Sequence, residues 1–298
     1  MRPWRDYRTT QLESVHEIEP ITRTNPKDEL LRADRLPHIW CPGCGLGIVV
    51  GCLVEAIRSS GIPQDKHIVV SGIGCTARIP GYLTLDTYHT THGRAIAFAT
   101  GIKVANPDLE VTVIGGDGDL FNIGGNHLIH AIRRNLDLNI FCVNNFNYGM
   151  TGGQFGATTP MGARTSTTPY GNFEASFNIP YIVAAAGAPF VSRWTALHAR
   201  QLLNSMVRAF HVQGLAFIEI VSPCPPTFGD LNNFDDALAM MQYFKSCSRV
   251  DDKADLSKIA LSMAPPDPIV VGNFVDIKKP PYHEAERKFI EAAMGRSK

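Results

Sequence analysis

The sequence predicts an α/β fold, a parallel sheet flanked by helices, on three observations. First, four segments are short, rich in β-branched residues and almost unbroken in apolarity: HIVVSG (67–72), VTVIGG (111–116), NIFCVNN (139–145) and FIEIVS (217–222). That is the pattern of strands buried on both faces. Second, amphipathic stretches with helical spacing lie between them, at 45–60, 124–134 and 195–212, and strands that alternate with helices imply parallel pairing. Third, each strand runs straight into a loop of Gly, Asn or Cys: GIGCTAR, GDGD, NNFNYGMTGG and SPCPP. Parallel α/β sheets bind ligands outside the carboxyl ends of their strands, so these four loops are expected to meet in one crevice.

Around this middle domain (36–230), residues 1–35 read as a polar N-terminal arm with Pro20 and Pro26. Residues 231–298 read as an irregular, Pro-rich docking tail ending in a short helix. The 298-residue chain is 44% hydrophobic and carries 28 basic and 28 acidic residues. Zero net charge gives no footprint for nucleic acid or an anionic membrane surface. The N-terminus has no apolar signal core, and no apolar run is long enough for a membrane span. A cytoplasmic location is expected. In that reducing setting the seven cysteines read as metal ligands, catalytic groups or core residues before disulfides.

GGDGD gives the sharpest chemistry. Glycines around Asp117 let a ligand approach the backbone closely. The carboxylate stands where a helix is expected to begin, a place that favours phosphate. Carboxylate and phosphate repel unless a cation lies between them, and Mg²⁺ takes protein oxygens together with substrate phosphates. Asn145, one helix and one strand further on, is the candidate second ligand, and the backbone carbonyl of Asn147 the third. The glycines match neither the G-x-G-x-x-G nor the G-x-x-x-x-G-K-[ST] phosphate loop.

GDG followed after about 26 residues by NN resembles the thiamin-diphosphate (TPP) fingerprint, hence a TPP-binding fold. The longer strings GDGDLFNIGGNH, NNFNYGMTGGQ, HGRAIAFATGIKVANP, TTPYGN and SPCPPTFG resemble the β subunit of 2-oxoacid:ferredoxin oxidoreductases over roughly residues 36–232. The nearest resemblance is to the 2-oxoglutarate enzymes, with pyruvate and branched-chain versions as alternatives. The resemblance implies TPP contacts from Ile73, Gly74, Cys75, Thr76, His92, Gly116, Gly118, Asp119, Gly149, Met150 and Thr151, with Mg²⁺ held by Asp117, Asn145 and Asn147.

The same resemblance implies one [4Fe–4S] cluster on Cys41, Cys44, Cys75 and Cys224. Four thiolates suit iron–sulfur or zinc. One close pair (WCPGCG, 40–45) joined to two distant singles departs from the paired spacing of a zinc ribbon. Cys52 and Cys142 read as core residues, and Cys247 has no assigned role. Arg78, three residues after Cys75, reads equally as a partner for a substrate carboxylate or as a salt bridge. No glutamate occurs between Glu55 and Glu110, so the carboxylate that TPP enzymes place against the aminopyrimidine is expected from an α subunit, in an α2β2 heterotetramer. The implied reaction is CoA-dependent oxidative decarboxylation of a 2-oxoacid, with electrons passing to ferredoxin, reversible as carboxylation in carbon fixation. The reading from another class is a non-enzymatic Fe–S or zinc scaffold.

Overall fold

The computed structural model describes residues 29–263 and 267–295. The expected strands form where their apolar runs lie: β1 (His67–Ser71), β3 (Glu110–Gly116), β4 (Asn139–Asn144) and β6 (Ala216–Val221). Between them run α1 (Leu46–Ser59) ahead of β1, β2 (Asp86–His89), α2 (Ala95–Ala105), α3 (Gly125–Arg134), α4 (Ile179–Ala185), β5 (Phe190–Thr195) and α5 (Ala199–Ala209). After β6 follow α6 (Ala237–Cys247), β7 (Ser248–Val250), β8 (Ile269–Asp276) and α7 (Tyr282–Ala293). One eight-stranded sheet has the order β2-β1-β3-β4-β6-β5-β8-β7. Pairing is parallel throughout except between β5 and β8.

Alternation along the strands splits the core into two layers. Ile114, Phe141, Val143, Ile218 and Ile220 face α1 and α5. Val111, Val113, Ile140, Cys142 and Phe217 face α2, α3 and α4. Cys52 and Cys142 are buried, as read from the sequence. The helix read over 195–212 starts at Ala199, because 190–195 is β5 and His198 caps the turn between them. The N-terminal arm falls mostly outside the described residues; its last part is docked, with Leu30 fully buried and Leu31 bridged to Leu83. Beyond residue 230 the tail docks on its own chain: β8 extends the sheet from β5, so the sheet runs on past 230 without a break. Among the described residues no helix is long and apolar enough to cross a membrane.

At the amino end of the sheet, away from the four loops, burial pushes the Glu110 carboxyl up to about 7, although Asn139 and Lys103 oppose the shift. The folded chain therefore binds this proton more tightly than the unfolded chain. Stability falls as pH rises from the ordinary 4.5 through 7. Glu110→Gln is expected to raise stability at pH 8 by roughly 1–3 kcal/mol and to leave it unchanged near pH 4; equal denaturation midpoints for both proteins at pH 8 would refute this.

Candidate active site

β1, β3, β4 and β6 are neighbours and parallel, so their carboxyl-end loops share one edge of the sheet. The chain leaves β1 toward β2 and leaves β3 toward β4, so a crevice opens between β1 and β3. A cavity of about 80 Å³ lies there. Ile73, Gly74, Cys75 and Thr76 line it after β1, Gly116, Asp117, Gly118 and Asp119 after β3, and Asn145, Asn147, Gly149, Met150 and Thr151 after β4. His92 enters from the loop ahead of α2.

Asp117 is buried, and burial pushes its carboxyl up to about 6. The buried Thr158 hydroxyl donates to its Oδ2. The other face carries three acceptors: the Asn145 amide oxygen lies 3.1 Å from Asp117 Oδ1 and 2.7 Å from the Asn147 carbonyl oxygen. Without a cation the amide satisfies both by turning its NH₂ toward them. Unturned, its oxygen lies beside both of the other two. Octahedral Mg²⁺ at roughly 2.0–2.1 Å spaces adjacent oxygens about 2.9 Å apart, so this oxygen set fits the ion.

Asp119 lines the same cavity, yet its carboxylate is fully buried and holds the loops together. Oδ1 accepts from His92 Nδ1 (2.6 Å), Gly93 N (2.7 Å) and Ile73 N (3.2 Å). A carboxylate only accepts, which puts the His92 proton on Nδ1 and leaves Nε2 as its other polar atom.

Next to this cavity lies a second one, of about 110 Å³, lined by Cys41, Cys44, Cys75 and Cys224. Cys41 and Cys44 sit on a turn closed by Cys44 N donating to Cys41 O at 3.0 Å. Gly43 has φ +78°, and a Cβ there would run into Ala237, which explains the glycine in C-P-G-C. Gly45 N donates to Pro223 O, tying this turn to the Cys224 loop. The rest of the wall is mainly apolar: Ile39, Trp40, Leu46, Val143 and two prolines. Burial pushes the Cys44 and Cys75 thiols up to about 11, with further contributions from the other cysteines of the ring. The four thiols stand around a space several times that of a water. Among the described residues no group of three or more His, Cys, Asp or Glu could hold a metal ion. Four cysteines lining one mainly apolar cavity match in kind the ligands of a four-iron cluster, which are thiolates.

Arg78 is exposed and lines neither cavity, so a carboxylate meeting it must approach from outside this chain. Sequence reasoning missed three residues here: Tyr148, which lines the first cavity; Thr158 on Asp117; and Thr227, which bonds both Cys224 and Asn147. Threonine hydroxyls in loops carry no periodicity, so no pattern marked them.

A family model described as the thiamine pyrophosphate enzyme C-terminal TPP binding domain matches residues 71–220. The 2-oxoglutarate synthase subunit KorB of Methanocaldococcus jannaschii is 49% identical over 268 residues, covering 90% of this chain and 98% of that protein. The chain belongs to the KorB family. Another KorB, from Archaeoglobus fulgidus, is 52% identical over 197 residues, covering 66% of this chain and 73% of that one. A solved 2-oxoglutarate:ferredoxin oxidoreductase from Magnetococcus marinus, with 2-oxoglutarate, coenzyme A and succinyl-CoA bound, superposes with a TM-score of 0.79 at 30% identity. That match covers 96% of this chain and 95% of the other. As a KorB-family chain the protein is an oxidoreductase subunit on a TPP-binding fold, which removes the scaffold reading.

Proposed function

We propose that this chain is the TPP-binding β subunit of a CoA-dependent 2-oxoglutarate:ferredoxin oxidoreductase, a cytoplasmic α2β2 enzyme that also runs as a reductive carboxylase in carbon fixation. The observation that carries the redox reading is the junction between the two cavities: Cys75, Asn145, Gly149 and Met150 line both. A thiamin enzyme that transfers no electrons has no use for four thiols against its cofactor pocket. The choice of 2-oxoglutarate draws on what the KorB relatives and the Magnetococcus enzyme are named for; pyruvate and branched-chain 2-oxoacids are the alternatives.

TPP, when bound, supplies the electron sink for decarboxylation, and a [4Fe–4S] cluster carries electrons singly. This chain's residues hold them. Asp117, Asn145 and the Asn147 carbonyl would hold Mg²⁺, which would supply positive charge for a diphosphate. Thr158 donates to Asp117 Oδ2 and leaves Oδ1 for the ion. Asp119 locks His92 and the 72–76 loop as one wall. Among the described residues Asp117 and Asp119 are the only acids lining the cavity; Thr158 holds the first and three loop N–H groups the second, which supports a catalytic carboxylate donated by an α subunit.

Anaerobic co-purification with the α subunit, then assay of a 2-oxoacid panel with CoA and a viologen dye, tests the reading. Turnover is expected from the complex and not from the isolated chain, with kcat/KM for 2-oxoglutarate about tenfold or more above pyruvate. A pyruvate preference would replace the substrate, and robust turnover by the isolated chain would remove the shared site. Iron and absorbance near about 400 nm are expected to fall in Cys41→Ser; an unchanged spectrum would remove Cys41 from the cluster.

A further inference from the structure

A continuous hydrogen-bonded path joins the two cavities. Thr227 Oγ1 lies 2.9 Å from Cys224 Sγ and donates to Asn147 Oδ1 at 3.1 Å. Asn147 Nδ2 in turn donates to the Asn145 carbonyl at 2.8 Å. Thr227 is held from behind: a Cβ on Gly153 would stand 3.0 Å from its own Cβ. Gly149 lets the two centres come close: a Cβ there would lie 3.3 Å from Cys224 Sγ and 3.5 Å from Asn147 Oδ1.

A threonine hydroxyl has one proton and two acceptor lone pairs. With Cys224 as a thiol, S–H donates to Oγ1 and Oγ1–H donates to Asn147, and every partner is satisfied. With Cys224 as a cluster-bound thiolate the S–H is gone, and the sulfur and the Asn147 amide oxygen compete for the single Thr227 proton. Charge decides that competition, because a hydrogen bond to a more negative acceptor is stronger. An electron added to a bound cluster would draw the proton to sulfur and leave Asn147 Oδ1 without its donor, held only through Nδ2. Asn147 is the residue whose carbonyl faces the cation site.

We propose that Thr227 is a positioning residue whose hydroxyl couples the charge of the four-cysteine centre to the cation–diphosphate loop. The inference rests on the cluster and cation reading above. Coupling of this kind is reciprocal: TPP·Mg²⁺ shifts the cluster's midpoint potential, and reduction shifts TPP affinity by the same factor. Hydrogen bonds to ligating sulfur also stabilise the reduced form.

The test uses the anaerobic αβ complex as wild type, Thr227→Val and Thr227→Ser. Iron content and the cluster midpoint are measured with and without TPP·Mg²⁺. Thr227→Val is expected to keep its iron and to have a more negative midpoint, by roughly tenfold weaker stabilisation of the reduced form, about 59 mV for one electron. It is also expected to lose most of the TPP-dependent shift. Thr227→Ser restores both. A fully loaded valine variant with wild-type midpoint and wild-type shift overturns the relay. If valine strips the iron, serine decides alone: it keeps the hydroxyl, so a midpoint or shift unlike wild type overturns the proposal. Wild type without iron overturns the cluster reading, and this inference with it.

Discussion

Asp117→Asn is expected to weaken Mg²⁺-dependent TPP binding by about 100-fold or more, while making the metal-free chain more stable. The two effects have one cause. Burial raises the Asp117 carboxyl from 3.8 to about 6, so the folded, metal-free chain resists the charge that the cation needs. Because the folded pKa is the higher one, this penalty is absent below 3.8, grows as pH rises to about 6, and is complete above it. Two pK units amount to about 3 kcal/mol at pH 7. The isosteric amide escapes that penalty and still accepts from Thr158, so the metal-free variant should melt about 5 °C higher. Wild-type affinity for Mg²⁺ should fall about tenfold per pH unit below about 6, because ion and proton compete for one carboxylate. Calorimetric titration of TPP with Mg²⁺ at pH 5, 6 and 7.5, beside thermal melts of both proteins, checks every part. A variant that binds TPP·Mg²⁺ normally removes Asp117 from the site.

The parts of this site that were legible in the sequence share a physical reason. β1, β3, β4 and β6 are buried on both faces, so their apolar runs are unbroken and their ends sharp, and the loops that follow them are marked as sharing one edge of the sheet. β5 was hidden because its last four residues include Ser192, Arg193 and Thr195 on fully buried positions, a polar pattern that imitates a loop. β8 was hidden differently. It lies past the Pro-rich stretch, has Gly272 in its middle, and pairs antiparallel with β5, so the alternation of strand and helix that marks parallel units is missing. Asp119 lines the cavity, but its use as a three-way tie between the loops at Ile73, His92 and Gly93 depends on chain crossings that spacing cannot express.

The hidden strand β5 and its neighbour β6 carry the largest expected loss of stability. Arg193 on β5 and Glu219 on β6 are register partners, both fully buried, with Nε donating to Oε2 at 2.6 Å. Arg193 Nη1 also donates to the Ile259 carbonyl at 2.7 Å, fastening the tail. Glu219 Oε1 accepts from Asn144 Nδ2 at 2.8 Å, and Asn144 Oδ1 accepts from Phe146 N. Phe146 has φ +68°, a left-handed backbone that costs a bulky residue about 1–3 kcal/mol, and it stands between the two asparagines of the proposed cation site. Removing one partner leaves a buried charge, so Arg193→Met or Glu219→Leu alone is expected to cost roughly 3–5 kcal/mol in denaturant unfolding. The double variant removes both charges and is expected to recover most of that loss. It does not return the acceptor that Asn144 needs to hold Phe146 in place. Its TPP·Mg²⁺ affinity should therefore stay depressed by roughly 10–100-fold, the usual effect of losing a partner that orients a metal ligand. A double variant that is stable and binds TPP·Mg²⁺ as wild type does would show that the pair holds only the fold; one that is stable and binds poorly separates the two roles, and ties the geometry of the cation site to the strand that anchors the tail.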